Sequence, residues 1–313
     1  MRLNKITSAL FCSLLLGATA YAASVSGTVT NKTTDKPSPG DKVELVDVQA
    51  SMSAVATATT NGSGKYTLNE PGAGPYLIRA THQGAGYFIA APQGAGSGDI
   101  SVYDASPNVP GVSVEDQIID LEAPTPQQLD VTEQFVVHNA SSPRMTKSGN
   151  NTFEFSLPDG AVIDMAEATR PSGLPTMAQP SPFGGKNHYA FNTPIEPDQG
   201  LDKMTVFQLH YHLPYSGKYT FKPTVSIATS HLAVQLPKSM TFAAGSGASY
   251  QSIQPQQQDP SVQTFLLQNA QPGRAMEFTV SGTGAMPREQ QQGGGQDSGQ
   301  AAPAGGTPGG GIG

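Results

Sequence analysis

Hydrophobic and polar residues alternate in short runs along the first third of the chain, and turn residues separate the runs. At 24–29, 42–47, 65–68 and 76–80, apolar or small residues recur at every second position. Successive side chains of a strand point to opposite faces, so this period is typical of half-buried strands. The segment 61–64, Asn-Gly-Ser-Gly, tolerates the positive φ of a tight hairpin turn. The pattern predicts a small antiparallel β-sandwich.

The second half of the chain repeats this pattern with longer gaps. Apolar positions alternate again in 129–138 and 152–157. Further strand candidates, separated by Pro, Gly or Ser, lie at 204–213, 218–228, 231–236, 262–268 and 275–281. The passage 171–185 is rich in Pro and Gly without periodicity, and we interpret it as a surface loop. These strands predict a second β-sandwich or a jelly roll.

Composition narrows the class of protein. The 313 residues include 35 Gly and 26 Pro but no Trp, which argues against long helices. Only 13% of residues are charged and the net charge is -7. Without a basic surface, the chain has no electrostatic means of holding nucleic acid or of being drawn to an anionic membrane. We therefore expect no nucleic-acid partner.

The first 22 residues have the organisation of a secretory signal peptide. Two basic residues precede an apolar run at 9–16, and small residues follow up to Ala22. The run is much shorter than the roughly 20 apolar residues that cross a bilayer. We expect export by the Sec route, with cleavage after Ala22 or Ala23, to the periplasm, the outer surface or the medium. The sole cysteine, Cys12, lies in this segment, so the mature chain is predicted to have no disulfide.

Four short pieces of the first third carry a family resemblance. They are Val25-Ser26-Gly27-Thr28-Val29, Gly40 with Val43 and Leu45, the segment 59–66, and Gly74-Pro75-Tyr76 with Ile78 and Ala80. In this order they resemble the carboxypeptidase regulatory-like domain, a transthyretin-like β-sandwich, over about 24–90. The resemblance implies an architecture shared with carbohydrate-binding modules. It implies a non-catalytic module, not peptidase activity.

The predicted organisation is all-β, with two β-sandwich domains in tandem. The first domain is placed at 24–123, where strands at 99–103 and 116–121 are expected to add an edge to the sandwich. The segment 124–128 is interpreted as a Pro-rich linker, because proline fixes its own φ and favours extended geometry before it. The second domain is placed at 129–283.

The remaining segment, 284–313, is rich in Gly, Pro and Gln and is predicted to be a disordered tail. The second half, through 139–143, 157–160 and 211–217, resembles secreted or surface proteins of acidobacteria. In those proteins a carboxypeptidase regulatory-like domain is followed by a β-rich domain and often by a membrane anchor. The tail is thus either an end or a linker to an anchor encoded beyond Gly313. The given chain has no predicted membrane span after the signal peptide.

His210-Tyr211-His212 is the strongest candidate for a metal site. Residues two apart on a strand share a face, so His210 and His212 could bind one zinc or copper ion, with His188 or His231 as a third ligand. The alternative is that both histidines line a solvated face while the odd-numbered residues from Phe207 to Leu213 form the core face. The alternative is favoured, because zinc sites need three or four ligands and the sequence places no third.

Other chemical motifs are absent or explained by structure. There is no thiolate in the mature chain, no Gly-x-Ser-x-Gly elbow and no His-Glu-x-x-His helix. Ser63 is accounted for by its turn, and the glycines of 94–98 lack the following helix that a phosphate site requires. Tyr66 and Tyr76 are assigned to the core rather than to sugar stacking.

The sequence therefore favours an exported, non-catalytic binding or scaffolding protein of the cell envelope or extracellular space. Its expected partner is an envelope or extracellular protein or a glycan, and no cofactor is expected. One alternative is a carbohydrate-binding or metal-binding accessory protein that uses an exposed aromatic patch or His210 and His212. The third hypothesis is a hydrolase with an unrecognised site.

Overall fold

The computed structural model describes residues 24–287 except 73, 93–95, 174, 201–202 and 255–258. Within this part of the chain, all regular structure is β-strand. The strands of the first sandwich are β1 (Ser24–Asn31), β2 (Lys36–Pro37), β3 (Lys42–Asp47), β4 (Ser53–Thr59), β5 (Lys65–Asn69), β6 (Tyr76–His82), β7 (Ala85–Ala90) and β8 (Ile100–Val102). The strands predicted from the alternation in the first third are confirmed.

Two sheets form the first sandwich. One has the order β2-β1-β5, with β8 parallel to β1, and the other has the order β4-β3-β6-β7. The inward side chains form a separate hydrophobic core, which includes Val25, Val29, Val43, Leu45, Tyr66, Leu68, Ile78, Tyr87, Ile100 and Val102. The edge strand predicted at 99–103 is confirmed by the pairing of β8 with β1.

Gly27 is required because another segment of backbone crosses directly over it. A Cβ on Gly27 would overlap the carbonyl group of Gly98. The crossing is held by the Gly98 N–H, which donates to the Ser26 carbonyl at 2.9 Å, and by the buried Tyr66 hydroxyl, which donates to the Gly98 carbonyl. Close approach of this kind is a standard reason for glycine in a strand. The packing role predicted for Tyr66 is confirmed.

The second sandwich contains the remaining strands. They are β9 (Ala105–Ser106), β10 (Val112–Thr125), β11 (Gln128–Asn139), β12 (Thr146–Lys147), β13 (Phe153–Ser156), β14 (Val162–Thr169), β15 (Pro175–Met177), β16 (Ser181–Pro182), β17 (His188–Phe191), β18 (Thr205–Pro214), β19 (Lys218–Phe221), β20 (Thr229–Pro237), β21 (Thr241–Ala244), β22 (Gln251–Ile253), β23 (Val262–Ala270) and β24 (Phe278–Ser281). Eight of them form one sheet in the order β15-β14-β18-β11-β10-β20-β23-β22.

Two small sheets cover one face of this eight-stranded sheet. They have the orders β13-β17-β16 and β19-β24-β21. The first is anchored by stacked rings, with Phe153 and Phe191 lying 5.0 and 4.5 Å from Phe207 of the large sheet. The second is anchored by Phe242, whose ring lies 4.0 Å from that of Phe265. The covered face is the core, and the other face of the large sheet is polar.

The domain boundary lies earlier than the sequence predicts. The predicted linker 124–128 is the turn of a long hairpin, because β10 and β11 pair from Val112↔Asn139 to Thr125↔Gln128. The predicted strand 116–121 is part of β10 and lies in the second sandwich, not at the edge of the first. Prolines at the end of a hairpin resemble those of a linker in sequence. Both a hairpin end and a linker accept proline, because neither requires its backbone N–H for a continuous ladder of hydrogen bonds between strands.

Other strand predictions for the second half are partly wrong. The predicted loop 171–185 contains the short strands β15 and β16, and the predicted strand 218–228 ends as β19 at Phe221. The strand β14 was not predicted, because it lies next to the sheet edge and several of its apolar side chains, including Val162 and Met165, are exposed. Burial in β14 alternates only over its second half, so its first half lacks the pattern on which the prediction depends.

The two sandwiches are joined by a buried polar contact. Arg170 of the second sandwich pairs with the buried Glu196 and donates to the Gly86 carbonyl of the first. Its guanidinium also lies over the ring of Phe88, at 5.5 Å from the centroid. Tyr87 of the first sandwich donates to Thr146 Oγ1 at 2.8 Å. Planar guanidinium groups suit such contacts because they stack and donate in several directions.

The predicted signal peptide lies outside the described residues. Nearly all of the predicted tail, from residue 288 onward, lies outside them as well. Among the described residues, no helix is long and apolar enough to cross a membrane.

Candidate functional site

The histidines singled out in the sequence lie on the polar face of the eight-stranded sheet. In β18 the side chains of Phe207, Leu209, Tyr211 and Leu213 are buried, which confirms the predicted core face. His210 Nδ1 lies 3.0 Å from Thr132 Oγ1, and its Nε2 lies 2.8 Å from the Gln208 amide. His212 Nδ1 lies 3.0 Å from each carboxylate oxygen of Asp164.

The structure does not bring the predicted third ligands to this pair. His231 is on β20, three strands away from β18, and its Nδ1 lies 3.1 Å from Asp116 Oδ1. His188 is on β17 in a small sheet that covers the core face. Within the described ranges, no group of three or more His, Cys, Asp or Glu side chains has a geometry that could hold a metal ion.

Acidic side chains surround His210 on the same polar face. Asp120, Asp130 and Asp164 line a shallow depression of about 430 Å³ beside it. Burial raises the pKa of Asp120 to about 6. The depression is a negatively charged surface beside His210, and both His210 and His212 are already hydrogen-bonded to neutral or acidic neighbours.

A second cavity enters the core from the opposite side of the large sheet. Its volume is about 300 Å³, and it lies where the two small sheets leave the middle of the large sheet uncovered. We call it the Glu133 cavity, and it is lined by Gln117, Ile119, Glu133, Ser156, Leu157, Pro158, Asp159, Asn187, Tyr211, Tyr219, Thr220, Phe221, Lys222, Pro223 and Thr224. The size falls within the range of small-molecule sites.

Three buried polar side chains form the floor of the Glu133 cavity. Gln117, Glu133 and Tyr211 are 4%, 4% and 2% exposed, on the neighbouring strands β10, β11 and β18. Gln117 Nε2 donates to Glu133 Oε1 at 2.7 Å, and the Tyr211 hydroxyl donates to Glu133 Oε2 at 3.1 Å. The buried Gln117 Oε1 has no hydrogen-bond partner. An unpaired buried acceptor is unfavourable and marks a place where a ligand group would be stabilised.

Glu133 is a buried carboxyl group without a cationic neighbour. Burial raises its pKa to about 7, although its hydrogen bonds from Gln117 and Tyr211 act in the opposite direction. In the described part of the chain, no ion pair includes Glu133. Burial and the adjacent carboxyl group also raise the pKa of Tyr211 well above its ordinary value. Perturbed carboxyl groups in clefts are enriched at functional sites.

The rim of the cavity is more exposed than its floor and carries charged side chains. Asp159 pairs with Lys186 at 2.7 Å and accepts from Asn187 Nδ2 at 2.6 Å. The side wall is aromatic, with the rings of Tyr219 and Phe221 4.9 Å apart in an edge-on arrangement. The cavity therefore combines an acceptor-rich floor with apolar walls.

The sequence contains one signal for this site, an acidic residue at an inward-facing position of a strand. In β11 the inward positions read Leu129, Val131, Glu133, Phe135 and Val137. A carboxylate at an inward position of a regular strand conflicts with burial unless it is paired or functional. The location of the cavity was not accessible from sequence, because it depends on where two small sheets end.

The first sandwich also has a buried polar cluster, in which most polar atoms pair with one another and Asp41 Oδ2 has no hydrogen-bond partner. His82 Nδ1 lies 2.9 Å from Asp41 Oδ1, and His82 Nε2 lies 3.2 Å from Asp104 Oδ1. Asn31 Nδ2 donates to Asp104 at 2.7 Å, and Ser38 Oγ lies 3.2 Å from His82. The cluster ties β6 to the segment that leads into the second sandwich.

Comparison with known proteins identifies the first sandwich. Residues 24–91 match the family model of the carboxypeptidase regulatory-like domain, so the chain contains this domain and the resemblance seen in the sequence is confirmed. No curated protein matches the chain.

Solved structures align only weakly. An M1 zinc metallopeptidase from Deinococcus radiodurans is 14% identical, with a TM-score of 0.32 over 55% of this chain and 42% of that one. A protein described as a candidate protease from Parabacteroides distasonis is 9% identical, with a TM-score of 0.30 over 56% and 41%. The aligned part spans less than half the length of these proteins, and similarity at this level assigns no function.

Proposed function

We propose that this is an exported, non-catalytic binding protein of the cell envelope or extracellular space. The second sandwich holds a small ligand in the Glu133 cavity. The observation that carries the proposal is the open cavity with Gln117 Oε1 buried and unpartnered at its floor. A ligand that pairs this group removes an unfavourable burial.

Rigidity of the floor supports binding. Glu133 is fixed by two hydrogen bonds from neighbouring strands of the same sheet, and Tyr211 is almost fully buried. A site whose polar groups are already oriented loses little conformational entropy when a ligand enters. Export is supported by the signal-peptide pattern of the first 22 residues.

A ligand screen on the full mature chain tests the proposal. Thermal unfolding is measured with sets of saccharides, organic amines and organic carboxylates, because a ligand that binds only the folded state raises its Tm. The matched control is Thr224→Trp, which places a bulky ring at the exposed rim and leaves the floor unchanged. We expect at least one set to stabilise the wild-type protein and not the control.

Two outcomes would contradict the proposal. Equal stabilisation of Thr224→Trp would place binding outside the cavity, and silence across all three sets would argue against a small-ligand site. Export is checked by fractionating cells that produce the full chain. Retention in the cytoplasm would remove the localisation part of the proposal.

Hydrolysis is the second candidate, favoured by one contact at the rim. Ser156 lines the cavity, and its Oγ lies 3.1 Å from His188 Nδ1. A histidine so placed can accept a proton from a serine nucleophile. The described partners of His188 do not include a carboxylate that would orient it, which ranks this function below binding. Turnover of a nitrophenyl ester that is lost in Ser156→Ala would reverse the ranking.

A further inference from the structure

The floor of the Glu133 cavity has unused capacity to accept hydrogen bonds. Gln117 Oε1 has no partner, and each oxygen of Glu133 accepts a single hydrogen bond from a protein donor. A carboxylate oxygen can accept two. The complementary ligand group is therefore one with several N–H or O–H donors at a single atom or on adjacent atoms.

The charge of the floor favours a ligand whose donor group is cationic. Glu133 is buried without a cation, and this is why its pKa is high. The other titratable groups that line the cavity are Asp159, Tyr211, Tyr219 and Lys222, and Lys222 is an exposed rim residue that pairs with Glu277 at 3.5 Å. A cationic ligand would supply the missing counter-charge inside the cavity. An anionic ligand would add a second negative charge beside Glu133.

The walls indicate what the cationic group is attached to. Ile119, Leu157, Tyr219 and Phe221 line the passage between the rim and the floor. Apolar and aromatic surfaces of this kind suit a hydrocarbon stem, and aromatic rings also attract cations. The volume of about 300 Å³ leaves room for a stem of roughly the size of one ring.

We propose that the Glu133 cavity binds a primary ammonium group on a short apolar stem, with the ammonium hydrogens donated to Glu133 and to Gln117 Oε1. The proposal rests on the cavity being a binding site, as proposed above, and adds the chemical class of its ligand. A primary ammonium has three donors and a positive charge, which are the two properties that the floor lacks.

Benzylamine, benzyl alcohol and benzoate form a matched set of probes, because they share one ring and differ in the charge of the polar group. Binding to the full mature chain is measured by isothermal titration calorimetry at pH 8 and pH 5.5. We expect benzylamine to bind at least about 10-fold more tightly than benzyl alcohol at pH 8, and benzoate to bind least. At pH 5.5 the affinity for benzylamine should fall by about 10- to 30-fold, because Glu133 is then protonated.

Two variants of the same strand separate charge from folding. Glu133→Gln keeps the shape of the side chain and removes its charge. This variant should bind benzylamine at least about 10-fold more weakly, and its affinity should no longer depend on pH. Asp130→Asn makes the same change on the opposite face of β11 and should leave the affinity within about twofold. Urea unfolding of both variants verifies that each is folded.

The release of a proton is an independent readout. At pH 7 the binding of an ammonium ion should drive a proton from Glu133 into the buffer, which is measured by repeating the titration in buffers of different ionisation enthalpy. If no proton is released on binding, the proposal is wrong.

Failure of the ligand class can be told from failure of the site. If benzyl alcohol or benzoate binds as tightly as benzylamine, and this binding is lost in the Thr224→Trp variant, the cavity is a binding site and the ammonium proposal is wrong. If benzylamine binds equally to Thr224→Trp or to Glu133→Gln, the proposal is also wrong. If none of the three binds, the ammonium class is rejected, and the wider screen decides whether the cavity binds any ligand.

Discussion

Glu44 in the first sandwich and Glu133 in the second each have only 4% of their surface exposed, but Glu133 lies deeper in the protein. Glu44 is paired with Arg79 at 2.7 Å and with Lys42 at 2.6 Å. Burial acts to raise the pKa of Glu44, but the hydrogen bonds and charges of Lys42 and Arg79 outweigh it and lower the pKa. Glu133 has only neutral partners, and its pKa is raised to about 7.

This difference separates a structural carboxylate from a candidate site. A carboxylate that is matched by cations inside the same module is complete without a ligand. A buried carboxylate that is held by neutral groups beside an open cavity is incomplete at neutral pH, and an external group can complete it. Removing the partner of a paired buried carboxylate should therefore lower stability, and neutralising the unpaired Glu133 should raise it.

The largest effect is expected when a paired carboxylate loses its cation. Arg170→Met would leave Glu196, which is 3% exposed, without its partner between the two sandwiches. Breaking a buried pair by removing one member destabilises by about 3–5 kcal/mol. Urea unfolding of the variant and of the wild-type protein measures this loss. The double variant Arg170→Met, Glu196→Gln should recover much of it, and a double variant as unstable as the single one would show that the ion pair is not the cause.

Neutralising Glu133 should change the free energy of unfolding in the opposite direction and make the protein more stable. The pKa of Glu133 is raised from 4.5 to about 7 on folding, so this group lowers stability progressively as the pH rises between these values. At pH 8, Glu133→Gln should therefore be more stable than the wild-type protein by about 1–3 kcal/mol. The gain should vanish near pH 4, where Glu133 is protonated in both states. A loss of stability at pH 8 would mean that the ionised group is already compensated.

A smaller loss is expected for Arg79→Met. Glu44 keeps Lys42 as a partner, so we expect a loss of about 1–2 kcal/mol at pH 7. Because the pKa of Glu44 is lowered by folding, the stability that the pair contributes is present above the unfolded pKa and is lost as the pH falls through the folded value. The loss in the variant should accordingly shrink as the pH falls below the unfolded value of about 4.5.

Arg79 also lies over the ring of Phe88, at 6.0 Å from its centroid. A double-mutant cycle with Glu44→Gln isolates the ion pair from this contact. A coupling energy near zero at pH 7 would show that the pairing seen for Glu44 does not contribute to stability.

The smallest effect is expected on the polar face of the large sheet. His210 and His212 point away from the core, so changing both to Ala should alter stability by no more than about 0.5 kcal/mol and leave benzylamine affinity unchanged. Zinc titration of the same double variant examines the less favoured hypothesis of a metal site at His210 and His212, and we expect no difference from the wild-type protein. Zinc binding that disappears in the variant would instead support a site at these histidines.

The predictability of the fold differed between the two sandwiches. In the first, short strands with glycine turns follow one another closely, and some neighbours in sequence also pair, as β3 does with β4. Its longest-range pairing, of β1 with β8, spans about 70 residues. In the second, β10 pairs with β20, more than a hundred residues later, and β14 pairs with β18. Alternation identified most of these strands but did not say which would be neighbours. The prolines at 124–126 were therefore interpreted as a linker when they lie at the end of a hairpin.

Local sequence determined the all-β class, the two hydrophobic cores and the face on which each strand residue lies, because side-chain direction in a strand follows from position alone. It also placed His210 and His212 together on one face. Gln117 and Glu133 lie on the two strands of one hairpin, but tertiary structure alone decided that Tyr211 joins them, since β18 lies far along the chain and pairs with β11 in the sheet. It likewise decided that two small sheets stop short of covering these residues, and this gap turns a buried carboxyl group into the floor of a cavity.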